Sequence, residues 1–221
     1  MSKTIGLILS GSGVKDGSEI HEATLALLGL VKRGANIVFM APSGNQSRVM
    51  NHATMEEVDE TRSMLVEGAR IARGEIVPIS DVDPSTLDGL MIPGGFGAAL
   101  NLSTFGTKGR DMTVHSDVEG IINKLLDASK PIAALCIAPP ILARVFQNRG
   151  GKGVKLTIGN DPATAAELEA MGAVHVESTA SEFVVDESHK VVTTCAYMLA
   201  SDIAELNIGI DKACQALMEL A

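Results

Sequence analysis

A cysteine that could act as a nucleophile, Cys136, stands between the apolar run 131–135 and the proline pair Pro139-Pro140. The run is short and lacks polar alternation, which predicts a strand that is buried on both faces. Prolines cannot continue a strand, but they fit the first turn of a helix, where amide hydrogens are unpaired. We therefore expect Cys136 in a strand-to-helix turn, where the positive end of the helix dipole favours a reactive thiolate.

Two further groups could complete a thiol site. Gly94 and Gly95 follow another predicted buried strand, so their N–H groups could form an oxyanion hole beside the nucleophile. By themselves these glycines predict only a tight turn. Glu19 and Glu22 lie three residues apart near the start of the first predicted helix. Carboxylates in the first turn of a helix often serve only to stabilise the helix through its dipole. Beside a cysteine without a nearby histidine, however, they are the expected proton carriers.

The histidines give weaker indications of chemistry. His175-Val176-Glu177 has the His-x-Glu spacing of glutamine-hydrolysing triads, yet it precedes a predicted hairpin rather than the final helix. His189 falls in the turn of that hairpin, where we expect it to be solvated. The remaining histidines show no metal-ligand spacing, so no metal site is predicted: His21, His52 and His115.

The glycine-rich loop Gly11-x-Gly13-x-x-x-Gly17 follows a predicted strand, as the phosphate-binding loop of a dinucleotide site does. However, the second predicted strand ends without the acidic residue that would bind a ribose hydroxyl. We therefore expect no nicotinamide cofactor, and the sequence indicates no other cofactor.

Composition and charge limit the class of protein. The 221 residues are 46% hydrophobic but only 3% aromatic, which is typical of an aliphatic core around a parallel sheet. A net charge of −9 argues against nucleic acid and anionic membranes as partners. Three cysteines match no disulfide framework, and the N-terminus is too short for a signal-peptide core, so we expect a cytoplasmic protein. Cys214 is expected in the core, and Cys195 in the core or at the end of a strand.

Strands and helices alternate along the whole chain, which predicts one α/β domain over residues 1–221 with helices on both faces of a mostly parallel sheet. Strands are predicted at 4–9, 35–40, 88–92, 131–135 and 155–158, and helices at 18–34, 56–73, 114–128, 163–171 and 200–220. Residues 183–194 are predicted to form a small β-hairpin. Ligands of such sheets bind beyond the carboxyl ends of the strands, where Cys136 and the glycine pair are expected to meet.

These motifs together resemble the PfpI/ThiJ, class I glutamine-amidotransferase-like superfamily, and most closely its ElbB (enhancing lycopene biosynthesis, glyoxalase-like) branch. Residues 9–22, 92–99, 136–139 and 156–159 carry the resemblance. It implies a flavodoxin-like three-layer sandwich, a homodimer, and Cys136 as the nucleophile. It also implies an oxyanion or substrate-binding site at Gly94, Gly95 and Ile137. The glutamate is Glu22 by this resemblance, with Glu19 as the second candidate.

The same resemblance implies a glyoxalase that needs no cofactor and converts methylglyoxal or glyoxal to the hydroxy acid through a cysteine hemithioacetal. Many relatives carry a histidine after the next strand, where this chain has residues 158–161, Ile-Gly-Asn-Asp. This difference disfavours a glutamine amidotransferase-type hydrolase. The alternative is a redox-responsive or isoprenoid-pathway accessory protein with little turnover. The expected partner is a small aldehyde substrate.

Overall fold

Strands and helices alternate as predicted in the computed structural model, which describes residues 2–221. The strands are β1 (Thr4–Ile8), β2 (Asn36–Ala41), β3 (Val49–Asn51), β4 (Glu56–Val58), β5 (Val77–Pro78), β6 (Gly89–Ile92), β7 (Ile132–Leu135), β8 (Lys155–Leu156), β9 (Val174–His175), β10 (Val184–Asp186) and β11 (Val191–Thr194). The helices are α1 (Ile20–Lys32), α2 (Met64–Ile71), α3 (Phe96–Leu100), α4 (Phe105–Lys108), α5 (Ser116–Asp127), α6 (Pro139–Asn148), α7 (Pro162–Ala170) and α8 (Ile203–Leu220).

The central sheet has seven strands in the order β10-β11-β7-β6-β1-β2-β5. All neighbouring strands are parallel except β10 and β11, which form an antiparallel hairpin. Every residue of β6 and β7 is buried, in agreement with the apolar runs seen in the sequence. The parallel arrangement brings the carboxyl ends of β1, β6, β7 and β11 to one edge of the sheet.

Helices cover both faces of the sheet, so the predicted flavodoxin-like three-layer fold is confirmed. Ile132 and Ala134 of β7 belong to the cluster that includes side chains of α5 and α6. Ala133 and Leu135, which point to the other face, belong to the cluster with α1 and α8. Cys214 lies in this second cluster, where the predicted core position is confirmed.

The predicted helix at 56–73 is wrong over its first half. Glu56–Val58 is β4, which pairs with β3 in a small separate hairpin, and α2 begins only at Met64. Ser63 caps α2 by accepting a hydrogen bond from the Val66 N–H group. The acidic run before Ser63 resembles a first helical turn in sequence, but its residues form the outer strand of the hairpin and the loop after it.

The strand predicted at 155–158 is shorter than expected and lies outside the central sheet. β8 ends at Leu156 and pairs with β9 in a separate two-stranded parallel sheet. The next residue, Thr157, donates its N–H group to the Thr193 hydroxyl rather than to a backbone carbonyl of β11. The segment thus contacts β11 through a side chain and forms no backbone ladder with the central sheet.

The predicted hairpin is confirmed, with Val185 opposite Val192. Asp186 closes its turn by accepting hydrogen bonds from the Ser188 hydroxyl and from the backbone and ring nitrogens of His189. It also accepts one from the Lys155 N–H group at the start of β8. His189, which was expected in solvent, is therefore a half-buried partner of Asp186.

We expect Asp186→Asn to lower the free energy of unfolding at pH 7 by about 1–3 kcal/mol. Burial raises the pKa of Asp186, but the hydrogen bonds outweigh burial and hold it well below its ordinary value. The stabilisation is therefore present at neutral pH and is lost as the pH falls from about 4 towards the folded-state pKa. Urea unfolding at pH 7 and pH 3 measures both effects. Asp59→Asn, at an exposed position, is the matched control, and equal stability of the two variants at pH 7 would contradict the prediction.

Candidate active site

Cys136 stands at the predicted strand-to-helix turn. Its φ of +57° is unusual for a residue with a side chain, and its N–H group donates to Thr194 O at 2.9 Å. The turn closes with a hydrogen bond from Ala138 N to Leu135 O, and α6 begins at Pro139. Cys136 is only 8% exposed. This left-handed conformation on a buried turn holds the side chain at the carboxyl edge of the sheet.

Three groups lie beside the Cys136 sulfur and shift its pKa. The backbone N–H groups of Gly95 and Ile137 lower the pKa of the thiol, and the Glu22 carboxyl raises it. The structure thus places Gly95 and Ile137 as predicted, beside the sulfur. Gly94 has a different role, because its N–H group donates to Glu22 Oε2 at 2.9 Å and so positions the carboxyl.

Glu22 is the glutamate that contacts the cysteine, and it is completely buried. Tyr197 N–H donates to its second oxygen, Oε1, at 3.3 Å. Burial and the adjacent charge of Glu19 raise the pKa of Glu22 to about 7, although the hydrogen bonds lower it. Such a carboxyl group can both accept and donate a proton near neutral pH.

Glu19 has a supporting position. Its side chain caps α1 by accepting a hydrogen bond from the Glu22 N–H group at 2.7 Å. It does not contact the sulfur, so it acts on the site through its charge and through the start of the helix. The sequence did not decide which of the two glutamates contacts the cysteine. In the structure Glu22 contacts it and Glu19 caps the helix.

Burial and the neighbouring carboxyl oppose the thiolate that the helix dipole is expected to favour. Burial, the charge of Glu22 and the hydrogen bond with Glu22 raise the pKa of Cys136 well above its ordinary value, and the two N–H donors offset this only in part. The first turn of α6 contains two prolines, which have no N–H groups to offer the sulfur. Cys136 and Glu22 therefore compete for a proton, and a protonated Glu22 can donate its O–H to the thiolate.

The turn at Gly94-Gly95 has room for neither residue to carry a side chain. Gly95 has φ +92°, and a Cβ there would meet the backbone of Gly17 and Glu19. A Cβ on Gly94 would lie 2.7 Å from Glu22 Oε2 and 3.0 Å from the Cys136 sulfur. The two glycines are thus required for the close approach of the turn to the cysteine and glutamate.

We expect Gly94→Ala to lower kcat/KM for the reaction of the site by roughly 100-fold, because the added methyl group displaces the sulfur and the carboxyl from each other. The measurement is steady-state kinetics on protein whose fold is checked by circular dichroism. Gly120→Ala in α5 is the matched control, since a Cβ there has no atom within 4 Å. Unchanged kinetics in a folded Gly94→Ala variant would contradict this geometry.

The sulfur and both glutamates line a cavity of about 310 Å³. The rest of its wall is mainly apolar and comes from four parts of the chain: Val14 of the glycine-rich loop, residues between Gly95 and Gly106 around α3 and α4, Ile137 next to the cysteine, and Tyr197 and Met198 after β11. An apolar wall keeps water from the carboxyl, which is the physical cause of its raised pKa. The cavity has room for a small organic substrate beside the nucleophile.

Tyr197 and His21 belong to the site, although sequence reasoning did not identify them as functional. Tyr197 lines the cavity, and its hydroxyl forms a hydrogen bond of 2.8 Å with Nδ1 of the exposed His21. Tyr197 is the only tyrosine of the chain. It follows β11, which pairs with β7, so its position after that strand could have predicted that it lies at the same sheet edge as Cys136. His175 receives a long contact from Ile158 N and does not line the cavity.

Comparison with known proteins identifies close relatives. No model of a known protein family matches the chain. The ES1 protein homolog, mitochondrial, of Rattus norvegicus is 38% identical over 98% of this chain and 83% of its own length. The human glutamine amidotransferase-like class 1 domain-containing protein 3, mitochondrial, is also 38% identical, over 98% of this chain and 82% of its own length. These names contradict the expected cytoplasmic location, because relatives that cover nearly the whole chain are mitochondrial proteins.

Solved structures show the same fold. The isoprenoid biosynthesis protein with amidotransferase-like domain from Ehrlichia chaffeensis superposes with a TM-score of 0.91 at 32% identity, over 99% of this chain and 100% of that one. Glyoxalase III from Candida albicans has a TM-score of 0.63 at 16% identity, over 99% and 97% of the two chains, and shows the fold alone. The chain therefore belongs to the ES1 and ElbB family of glutamine amidotransferase-like class 1 proteins.

Proposed function

We propose that the protein is a cofactor-independent glyoxalase that converts methylglyoxal or glyoxal to the hydroxy acid. The observation that carries this proposal is the buried pair of Cys136 and Glu22 at the wall of an apolar cavity. Glyoxalase chemistry needs a nucleophile for the aldehyde and a group that moves a proton between adjacent carbons. A carboxyl group with a pKa of about 7 suits the second task at physiological pH.

The first step is addition to the aldehyde. Glu22 accepts the Cys136 proton, the sulfur bonds to the aldehyde carbon, and the C=O electron pair moves to the oxygen. The N–H groups of Gly95 and Ile137, which lie beside the sulfur, stabilise that oxygen until the protonated Glu22 donates its proton to it. The products are a hemithioacetal and a Glu22 carboxylate.

The second step is isomerisation. The Glu22 carboxylate removes the hydrogen of the former aldehyde carbon as a proton, and the electron pair moves through the new C=C bond to the neighbouring carbonyl oxygen, which gives an enediolate. Glu22 then returns the proton to the neighbouring carbon, and the hydroxyl proton of the former aldehyde carbon passes to the enediolate oxygen, which leaves a thioester on Cys136. Water attacks the thioester, the C–S bond breaks, and the thiol is regenerated with the hydroxy acid. The net reaction adds one water to the oxoaldehyde.

The test is lactate formation from methylglyoxal without glutathione, followed by proton NMR in deuterium oxide. Lactate with partial deuterium at C2 is expected, because the Glu22 proton exchanges with solvent between removal and return. Formation of a stable cysteine adduct without lactate would contradict the proposal.

A second candidate is a redox-responsive or isoprenoid-pathway accessory protein with little turnover. It is favoured by the name of the Ehrlichia protein and by the position of Glu22 beside Cys136, where the carboxyl could donate a hydrogen bond to a sulfinate. Mass spectrometry after mild peroxide distinguishes the candidates. Selective oxidation of Cys136 together with negligible lactate formation favours the accessory role.

The partner predictions remain proposals: a homodimer that acts on a small aldehyde and binds neither nucleic acid nor membranes. Within residues 2–221, no helix combines the length and apolar character that a membrane span needs. Light scattering of the purified protein measures the oligomeric state.

A further inference from the structure

Two basic side chains lie on an aromatic ring of the active-site cavity. Phe96 lines the cavity and is 42% exposed. Lys15 Nζ lies 4.8 Å from the centre of its ring, and the central carbon of the Arg48 guanidinium lies 5.6 Å from the same centre. We call Lys15 and Arg48 the cationic rim.

Several hydrogen bonds hold this rim in place. Arg48 donates from Nε and Nη2 to the Lys15 carbonyl at 3.1 and 2.9 Å. Phe96 N–H donates to Val14 O at 2.7 Å, which ties the ring to the loop that carries Lys15. The backbone of the glycine-rich loop is thus held against Arg48 and Phe96, and the loop contributes the Lys15 ammonium over the Phe96 ring.

The rim has no acidic partner. Within residues 2–221, neither Lys15 nor Arg48 has a carboxylate within 4.0 Å, although the chain holds 27 acidic and 18 basic residues. Other arginines, such as Arg33 and Arg110, form ion pairs with carboxylates. The Lys15 ammonium and the Nη1 group of Arg48 therefore remain available to an anion.

We propose that the cationic rim binds the anionic end of the substrate, a phosphate or a carboxylate, while the substrate's uncharged part fills the apolar cavity. The inference rests on the proposed function for its reacting group, an oxoaldehyde at Cys136. The anionic end of the substrate forms charge-assisted hydrogen bonds with the cationic rim. Its uncharged part is buried against Phe96 and Phe105. Such a site would bind an amphiphilic oxoaldehyde more tightly than methylglyoxal or glyoxal, which it also converts but which lack an anionic end.

The test measures binding without chemistry, by calorimetry on the Cys136→Ala protein. The ligands are butyl phosphate, pentanoate, 1-butanol and inorganic phosphate. We expect one or both amphiphilic anions to bind more tightly than 1-butanol and inorganic phosphate. The double variant Lys15→Gln/Arg48→Gln is expected to weaken that binding about tenfold. The double variant Lys32→Gln/Arg73→Gln, at exposed positions, changes the net charge equally and is the matched control.

The two proposals can fail separately. The proposal of an anionic subsite is wrong, whatever the enzyme catalyses, if 1-butanol or inorganic phosphate binds as tightly as both amphiphilic anions. It is also wrong if the Lys15→Gln/Arg48→Gln protein binds the anions as tightly as the control variant does. If the anions bind through the rim but no oxoaldehyde is turned over, the subsite stands and the glyoxalase assignment falls. The more tightly bound anion identifies the head group.

Discussion

Replacing Cys136 by alanine is expected to reduce lactate formation from methylglyoxal by roughly 10³-fold or more. Without the sulfur no hemithioacetal forms, and the remaining carboxyl has no bound intermediate on which to act. Cys136→Ser is expected to fail similarly, because a hydroxyl in this buried position is a much weaker nucleophile than a thiol. The measurement is lactate quantified by NMR or a coupled assay, with background hydrolysis subtracted.

The control for this variant is Cys214→Ala, which removes a buried thiol from α8, where it contacts Ala26 O and not the cavity. Cys214→Ala should keep wild-type turnover per folded molecule. A Cys136→Ala protein that retains the wild-type rate would show that the sulfur takes no covalent part, and the proposed mechanism would be abandoned.

Replacing Glu22 by glutamine is expected to lower kcat by about 10²–10⁴-fold, because the amide cannot accept the proton that must move between the two carbons. The size of the side chain is kept, and the variant also loses one of the two backbone N–H hydrogen bonds that the carboxylate accepts, because an NH2 group replaces one oxygen. Pre-steady-state adduct formation at Cys136, followed by mass spectrometry, separates loss of the isomerisation step from loss of substrate binding. A glutamine variant that turns over normally would exclude Glu22 as the base.

The pH dependence supplies a second test of Glu22. As a base it must be ionised, so the wild-type rate is expected to rise with pH through about 7, the pKa of Glu22. The charge of Glu19 contributes to that raised pKa, after burial. Glu19→Gln removes the charge and keeps an acceptor for the α1 cap. The acidic limb of the pH–rate profile should therefore move to lower pH. A shift of this limb to higher pH, or no shift, would contradict the electrostatic argument.

Much of the fold followed from local patterns. The buried runs before Gly94 and Cys136 became β6 and β7, and the proline pair began α6, because apolar periodicity and proline geometry act over a few residues. The part of the chain where the prediction failed, 56–73, has acidic residues compatible with a helix start or with an exposed hairpin strand. Pairing with Val49–Asn51 decided between them, and no local pattern reports such pairing.

By itself the sequence determined that Cys136 lies in a strand-to-helix turn, that a glycine pair follows a buried strand, and that both meet at one sheet edge. Only the tertiary structure decided that Glu22 rather than Glu19 contacts the sulfur and that the Tyr197 N–H group holds the Glu22 carboxyl. The raised pKa of the thiol also depends on the tertiary structure. The physical reason is distance along the chain. Glu22 meets Gly94 across 72 residues and Tyr197 across 175, and the order of the strands in the sheet sets these contacts and the burial that shifts both pKa values.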